Sequence, residues 1–570
     1  MQSKINNTTV HLALLVILSV AIYANSLSVP FLFDDFVSIV NNPAISDYSA
    51  LLDTEMLDDF QIVTDLKNNI KTRTFSFLTF AVNRQVGGLN PVGYHLVNVF
   101  FHAVNACLVY LLVSYLLTLA FRKSEMTIEP PNCKLLALIV SLLFVVHPIQ
   151  TSAVTYITQR FTTLATLLYL SALIMYIKGR CSDSNKKAVL FFVTSFFLTA
   201  LAMDTKEIAF TIPFVMTITE LVFFSGRTAR RLLTLAPFYL TLLIIPLTLW
   251  SMLPENTEFS KGVIETTNMM NLDKIPRASY LFTQFRVIVT YMRLLIFPVN
   301  QNFDYNYPVF HSFTEPPVLI SFIFLVILLS VGFYFLVRAS NSADPNNVNF
   351  RMGGFGLIWF FVTLSMTSSV IPINDVINEY RLYLPSVGFI IFVISTVSIL
   401  LCSVADTLKP TLIKVCVISS VTVVCIFALS TVTRNRVYQD RLVLWQDVAQ
   451  KSPGKLRPAY NLAEMYMSRN MPDSAIETLE NLIRLNPTLG KPHCFLGLAF
   501  LRLNRFDAAL AEYKKAQAVR NDKAEVHIGL AEAYLGLGKT ALAVDSLNTA
   551  GRLEPNNPKV RQLFNLISAR

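Results

Sequence analysis

Runs of about 20 apolar residues recur along the chain from His11 to Thr431. A bilayer core of roughly 30 Å is crossed by about that many residues of helix, and inside lipid a helix satisfies every backbone N–H and C=O within its own segment. About eleven runs qualify, near 10–29, 94–120, 135–155, 161–177, 188–203, 207–224, 232–252, 317–337, 352–371, 386–404 and 411–431. With 53% of 570 residues apolar and 15% charged, a soluble globular protein and a disordered chain are both excluded. From Arg434 to Arg570 the character changes to soluble, Ala-rich and amphipathic. The fold class is therefore all-α: a polytopic membrane helix bundle followed by a soluble helical part.

The net charge of +10 is an orientation signal rather than a nucleic-acid footprint, because Lys and Arg collect in short loops between apolar runs. Lys4, the Arg122/Lys123/Lys134 loop, the Lys178/Arg180/Lys186/Lys187 loop and the Arg227/Arg230/Arg231 loop alternate as a cytoplasmic N-terminus requires. Tyr280 to Val299 is apolar but carries Arg286 and Arg293 seven residues apart, on one helical face, which suits an interfacial helix. With that stretch not spanning, the soluble tail lies on the outer (periplasmic or lumenal) side; with it spanning, the later loops invert. Lys4 and the small residues near Ala24 also fit a signal peptide. Of seven cysteines only Cys494 lies in the soluble part, so no disulfide framework is available there.

The tail repeats itself with a period of 34: Leu462/Leu496/Leu530, Ala463/Gly497/Ala531, Tyr466/Phe500/Tyr534, Ala475/Ala509/Ala543 and Leu479/Tyr513/Leu547, with Pro487 and Pro555 closing two units. Small residues let paired helices approach, aromatics fill the layer between them, and Pro ends the second helix. This is a tetratricopeptide pattern, an α-solenoid of three repeats. The organisation is thus 1–433 membrane domain, 434–455 linker helix, and 456–570 repeat domain with a capping helix from Lys559 to Ser568. The concave face of the repeats is expected to bind a protein segment; capping or dimerising the membrane part is the plainer alternative. His493 and His527 read as packing or surface histidines.

Ionisable residues at span ends are costly unless paired or solvated, and here they gather at the outward ends. Asp34 and Asp35 follow the first run in Phe33-Asp34-Asp35-Phe36, and Arg73 precedes the second. Asn98 and His102 lie one turn apart within it and read as an interhelical hydrogen-bonding pair. His147-Pro148 ends the third run, Gln159-Arg160 begins the fourth, Lys206-Glu207 occupies a short outward turn, and Arg286, Arg293, Asp304, Asn374-Asp375 and Glu379-Tyr380-Arg381 follow. Carboxylates can deprotonate a hydroxyl, and Lys or Arg can hold a phosphate leaving group. A polyprenyl-phosphate sugar brings such a group to the bilayer surface. Glu379 with Arg381, or Lys206 with Glu207, are equally readable as structural ion pairs.

Phe33-Asp34-Asp35-Phe36, Arg73 before Tyr94-His95-Leu96-Val97-Asn98, His147-Pro148-Ile149-Gln150-Thr151, Lys206-Glu207 before Pro213 and the tetratricopeptide tail together resemble the transmembrane and tetratricopeptide-repeat O-mannosyltransferases and their bacterial relatives. More broadly the chain resembles the C-type (GT-C) glycosyltransferases. The resemblance implies inverting transfer of one sugar from a lipid-phosphate donor to a protein hydroxyl, with no cofactor required and at most a weak dependence on a divalent cation. It implies Asp34 as general base with Asp35 as its neighbour or substitute. By analogy and position, Arg160, Lys206 and Arg381 become the donor-phosphate contacts. Arg73, His147, Glu207, Arg286, Arg293 and Glu379 are further site candidates, and no metal ligands are assigned. The expected partners are the lipid-linked donor, an acceptor protein or peptide met through the repeats, and membrane lipids, in a bacterial inner membrane or the ER membrane.

Two other functions compete. A ligase or polymerase moving a whole glycan from a diphosphate lipid predicts a large late outward loop rich in Arg and His, for which Leu253 to Pro316 is the candidate, though poor in His. A non-catalytic anchored scaffold needs one span, not about eleven.

Overall fold

The computed structural model describes residues 7–53, 56–57, 64–124, 133–226, 228–252, 275–341, 344, 346–369, 372–373, 375–404, 407–488, 490–555 and 557–568. Lys4, Asn374 and the 253–274 part of the late loop lie outside them. No strand occurs among the described residues. The chain divides into two compact units, Met1–Gln301 with Tyr307–Gln439, and Asn302–Asn306 with Asp440–Arg570.

In the first unit the long helices are α1 (Thr8–Tyr23), α2 (Thr64–Thr72), α3 (Thr74–Gly87), α4 (Pro91–Lys123), α5 (Cys133–Val146), α6 (Arg160–Arg180), α7 (Asn185–Met203), α8 (Ile212–Phe223), α9 (Thr228–Leu240), α10 (Arg277–Ile296), α11 (Pro316–Arg338), α12 (Asn347–Ser365), α13 (Pro385–Cys402) and α14 (Lys409–Tyr438). Starts follow local chemistry: Asn7 and Asn90 accept the N–H groups of Thr9 and Val92, and Pro91 occupies a first-turn position where no donor is needed. Nine helical segments are long and apolar enough to cross a membrane among the described residues, and the pair Cys133–Val146 with Pro148–Val154, bent by 50°, makes a tenth.

The expected run at 207–224 is shorter. A 3-10 turn, Glu207–Thr211, precedes the 12 residues of α8. It still joins the two ends of the bundle. At one end Glu207 meets Arg73; at the other Glu220 meets Arg180 at 2.7 Å, and Lys123 donates to the carbonyls of Leu221, Val222 and Phe224. Helix α10 does not pass between the ends: near its start Tyr280 donates to the Thr367 carbonyl, and near its finish His147 bonds the Leu295 carbonyl. Helices α12 and α13 cross at Gly356 and Gly388, where a Cβ on either would strike the other's carbonyl. Small residues at a helix crossing are how apolar helices associate without help from water.

The second unit holds three helix pairs, Leu456–Ser468 with Pro472–Leu485, Gly490–Arg502 with Phe506–Arg520, and Ala524–Gly536 with Thr540–Leu553, then Pro558–Ser568. The period of 34 survives as burial: Ala475, Ala509 and Ala543 are wholly enclosed. It also survives in the backbone. Asn470, Asn504 and Gly538, at the same register, all turn through positive φ (58°, 57° and 72°) to reverse the chain between paired helices. The main stretch of the second unit begins at Asp440, which caps helix Arg441–Lys451 through the Leu442 N–H at 2.8 Å. The stretch 434–455, read as one linker helix, is therefore divided: α14 runs on to Tyr438, and a new helix follows.

Candidate functional site

Four short segments between long helices meet at one end of the first unit: 29–45 after α1, 147–160 between α5 and α6, 204–211 between α7 and α8, and 375–384 before α13. The first carries the two acids, and the fold treats them differently. Asp35 is fully buried and accepts the Leu32 N–H (2.8 Å), the Thr158 N–H (2.8 Å) and the Thr158 hydroxyl. Burial dominates those bonds and pushes its carboxyl up to about 7. Asp34 is exposed, at the tip of a turn in which Phe33 takes a φ of 34° and the Asp35 N–H donates to Leu32 at 2.7 Å. The Asp34 N–H donates to the hydroxyl of buried Tyr156 at 2.9 Å.

Lys206 is 6% exposed, and its ammonium donates to Thr162 Oγ1 (2.6 Å) and Gln159 Oε1 (3.2 Å) beneath the ring of Tyr380 at 4.6 Å. These neighbours are all uncharged. Burial, aided by Arg73 and Arg381 against the pull of Glu207, lowers the ammonium's pKa to about 7. Glu207 does not pair with its neighbour Lys206. It takes Arg73 Nη2 at 3.0 Å, from a residue 134 positions away, and although burial works against it, Arg73 and Lys206 hold its carboxyl down at about 2. Arg73 is placed there by Asp204, whose carboxylate accepts the Phe75 N–H in the first turn of α3 (2.9 Å). Lys206, Arg73 and Arg381 thus set a basic ring about Glu207 and Tyr380, and Tyr380 is within electrostatic reach of Asp34 as well.

Other expected residues are placed elsewhere or used by the fold. Arg160, expected at a donor phosphate, is 0% exposed: Nε donates to Asn98 Oδ1 (2.9 Å), Nη1 to the Thr79 carbonyl (3.1 Å) and Nη2 to the Tyr94 carbonyl (2.9 Å), under Phe80. A buried guanidinium so engaged braces the start of α6 and does not face a surface a phosphate can reach. Arg381 spends Nη1 and Nη2 on the carbonyls of Val376 and Asp375 (3.1 and 2.7 Å), so its charge reaches the ring from a fixed seat. Buried Glu379 takes Gln301 Nε2 at 3.1 Å. His147 accepts the Ile149 N–H on Nδ1 (3.1 Å), which leaves Nε2 as the donor to Leu295 (2.9 Å); it is a helix cap. Arg286 and Arg293 lie along α10, where both act electrostatically on Tyr307 and Arg293 Nη1 donates to the Val299 carbonyl at 3.2 Å. Asn98 and His102 do not bond each other: Asn98 holds the Val154 and Ile157 carbonyls, and His102 meets Tyr383 at 2.8 Å.

Sequence reasoning missed Tyr156, Thr158, Gln159, Thr162 and Asp204 as partners of the site. Only Gln159, beside Arg160 at a span start, carried any signal.

A bundle of membrane-crossing helices with a polar site at one end, joined to a repeat solenoid, defines a polytopic membrane protein with a tetratricopeptide tail. Two tetratricopeptide repeat models match residues 456–489 and 500–566. The chain is similar to a protein O-mannosyl-transferase of Caenorhabditis elegans, 27% identical over 489 residues, covering 84% of this chain and 63% of that protein. It is also similar to the protein O-mannosyl-transferase TMTC3 of Mus musculus, 25% identical over 537 residues, 89% of this chain and 54% of the relative. The resemblance drawn from the motifs therefore extends along most of the chain, which spans about half to three-fifths of these relatives' length. Among solved structures, ArnT from Cupriavidus metallidurans bound to undecaprenyl phosphate aligns with 94% of this chain and 77% of its own at 13% identity, with a TM-score of 0.34, too loose to argue from.

Proposed function

We propose that the chain is an integral membrane glycosyltransferase that moves one sugar from a polyprenyl-phosphate donor to a hydroxyl of a protein, at the outer membrane face. The observation that carries this reading is buried Lys206, a cation whose hydrogen-bond acceptors among the described residues, Gln159 and Thr162, are neutral, under the ring of Tyr380, which exposed Asp34 also reaches electrostatically. A buried ammonium without a contacting carboxylate is an unfinished ion pair, and a phosphate would complete it. In the reaction Asp34 takes the proton of a Ser or Thr hydroxyl as that oxygen attacks the anomeric carbon. The bond from that carbon to the phosphate oxygen breaks, and the polyprenyl phosphate leaves with the electron pair, its charge met by Lys206 within the field of Arg73 and Arg381. A single displacement inverts the anomeric carbon. Glu207, tied to Arg73, keeps that guanidinium in place.

The names of the relatives support mannose as the sugar and a protein as the acceptor. The repeats support acceptor capture, since stacked helix pairs offer an extended binding face. The charge alternation of the loops supports a cytoplasmic N-terminus, with site and repeats on the far side. The test is the purified full chain in detergent with undecaprenyl-phosphate mannose carrying tritiated mannose and a Ser/Thr peptide library. Label should enter peptide with the parent chain and not with Asp34→Asn. Equal incorporation by Asp34→Asn would overturn the role of the base.

A further inference from the structure

The two acids of the Phe33-Asp34-Asp35-Phe36 turn are held by one loop from elsewhere in the chain, 155–160, and each is met by a different residue of it. Thr158 grips Asp35 through both its N–H and its hydroxyl, which anchors the turn from inside. Those bonds, with the Leu32 N–H and the Asp35 N–H, already fix the fold of Leu32–Asp35. Tyr156 braces the same turn at the exposed member of the pair: its hydroxyl accepts the Asp34 N–H at 2.9 Å, which leaves its own proton for the Asp34 carboxylate that acts on the phenol electrostatically.

The phenol is itself immobile. Tyr156 is 3% exposed. Its loop is pinned from three helices: Asn98 Nδ2 of α4 donates to the carbonyls of Val154 and Ile157 at 3.2 Å, Thr155 donates to Asn435 Oδ1 of α14 at 2.7 Å, and Arg160 at the start of α6 holds Asn98 Oδ1. Phe33, one residue before Asp34, adopts the left-handed φ of 34° that a bulky side chain resists, at a cost of about 1–3 kcal/mol. Such a backbone persists only where the surroundings over-determine it, and here it carries one carboxylate out to the surface while its neighbour stays inside.

We propose that Tyr156 is a positioning residue for the transfer reaction: its hydroxyl fixes the Asp34 carboxylate at the angle from which it takes the acceptor proton, and stabilises its ionised form. The inference rests on the reading of Asp34 as the base. A hydroxyl that donates to a carboxylate favours the anion, so its removal lowers the fraction of base available at a given pH as well as loosening its aim.

Tyr156→Phe keeps the ring and its packing and deletes only the oxygen. In the full chain, assayed with undecaprenyl-phosphate mannose and the peptide library, we expect kcat to fall roughly 10- to 100-fold, the scale on which a misplaced catalytic group is felt. The donor KM should stay within about twofold, and the acid limb of the kcat profile should move to higher pH. Thr158→Val serves as the comparison, since it loosens Asp35 rather than Asp34; it should lower the melting temperature more than Tyr156→Phe does while leaving the acid limb where it was. An unchanged kcat and pH profile in Tyr156→Phe, with Asp34→Asn inactive, overturns the role of Tyr156 and leaves the base in place. Full activity of Asp34→Asn overturns both. A fall in kcat that tracks a fall in melting temperature, without movement of the acid limb, makes Tyr156 a packing residue and also overturns the proposal.

Discussion

Lys206→Met separates what Lys206 does for the fold from what it does for a ligand. The fold lowers the ammonium's pKa from an ordinary 10.5 to about 7, so between those values the folded protein binds fewer protons than the unfolded chain, and stability climbs with pH across that window. At 1.36 kcal/mol per pH unit, keeping the charge in its buried seat costs about 5 kcal/mol at pH 6 and about 2 kcal/mol at pH 9. Methionine removes that cost. It also removes two hydrogen bonds, but Thr162 Oγ1 already donates to Gln159 Oε1 at 3.0 Å, so the cup still satisfies itself and the loss is about 1 kcal/mol. Lys206→Met should therefore melt above the parent chain in detergent, by a wide margin at pH 6 and a narrow one at pH 9. Undecaprenyl phosphate should raise the melting temperature of the parent and leave that of the variant unmoved. A variant that melts below the parent at both pH values, with the same margin, would refute the account, since it would mean that the apo protein already satisfies this charge.

Three further outcomes follow from the same contacts. Asp35→Asn turns an amide donor against one of the donors that Asp35 now accepts, at about 1–3 kcal/mol, but it also removes a buried carboxylate whose pKa the fold raises from 3.8 to about 7, a cost that grows as pH rises through that window; the variant's melting temperature relative to the parent should therefore be lowest at pH 4 and climb toward pH 8. Glu220→Leu leaves Arg180 and Arg231 without the carboxylate they share (2.7 and 3.8 Å), and Tyr176 without its acceptor; a loss of about 3–5 kcal/mol is expected, and Arg180→Met added to it should restore part of the lost thermal stability. In the repeats, a Cβ on Gly529 strikes the ring of Tyr513, so Gly529→Ala should cost about 1–3 kcal/mol of tail stability, seen as earlier proteolysis of the tail, and Tyr513→Leu should relieve it.

The spans and repeats were legible because each rests on a pattern inside one stretch of chain. Twenty apolar residues need no partner to be recognised, and Ala475, Ala509 and Ala543 declare themselves by spacing. The 207–224 crossing was readable as apolar but not as short, because its length is set by cations at α4 and α6 that cap and pair its far end. The site was half legible. Asp34 and Asp35 stood out as acids after a span, yet their sequence neighbours are nearly symmetric, and what makes one an anchor and the other a surface carboxylate is a loop about 120 residues away. Arg160 looked like a phosphate contact for the same reason: a cation at a span start has identical sequence whether it faces a cavity or the carbonyls of Thr79 and Tyr94. Adjacency also misled at Lys206-Glu207, where the carboxylate's partner is Arg73 on another segment.

On the proposed function, this chain moves a single sugar from a lipid phosphate to a protein hydroxyl using Asp34 and Lys206. The most direct measurement is mass spectrometry of a Ser/Thr peptide pool after incubation with the purified chain and undecaprenyl-phosphate mannose, for the parent, Asp34→Asn and Lys206→Met. One hexose on a Ser or Thr oxygen is expected with the parent, and unmodified peptide with either variant. A hexose added equally well by both variants, or transfer of a whole glycan from a diphosphate lipid with none from the monophosphate, would contradict it.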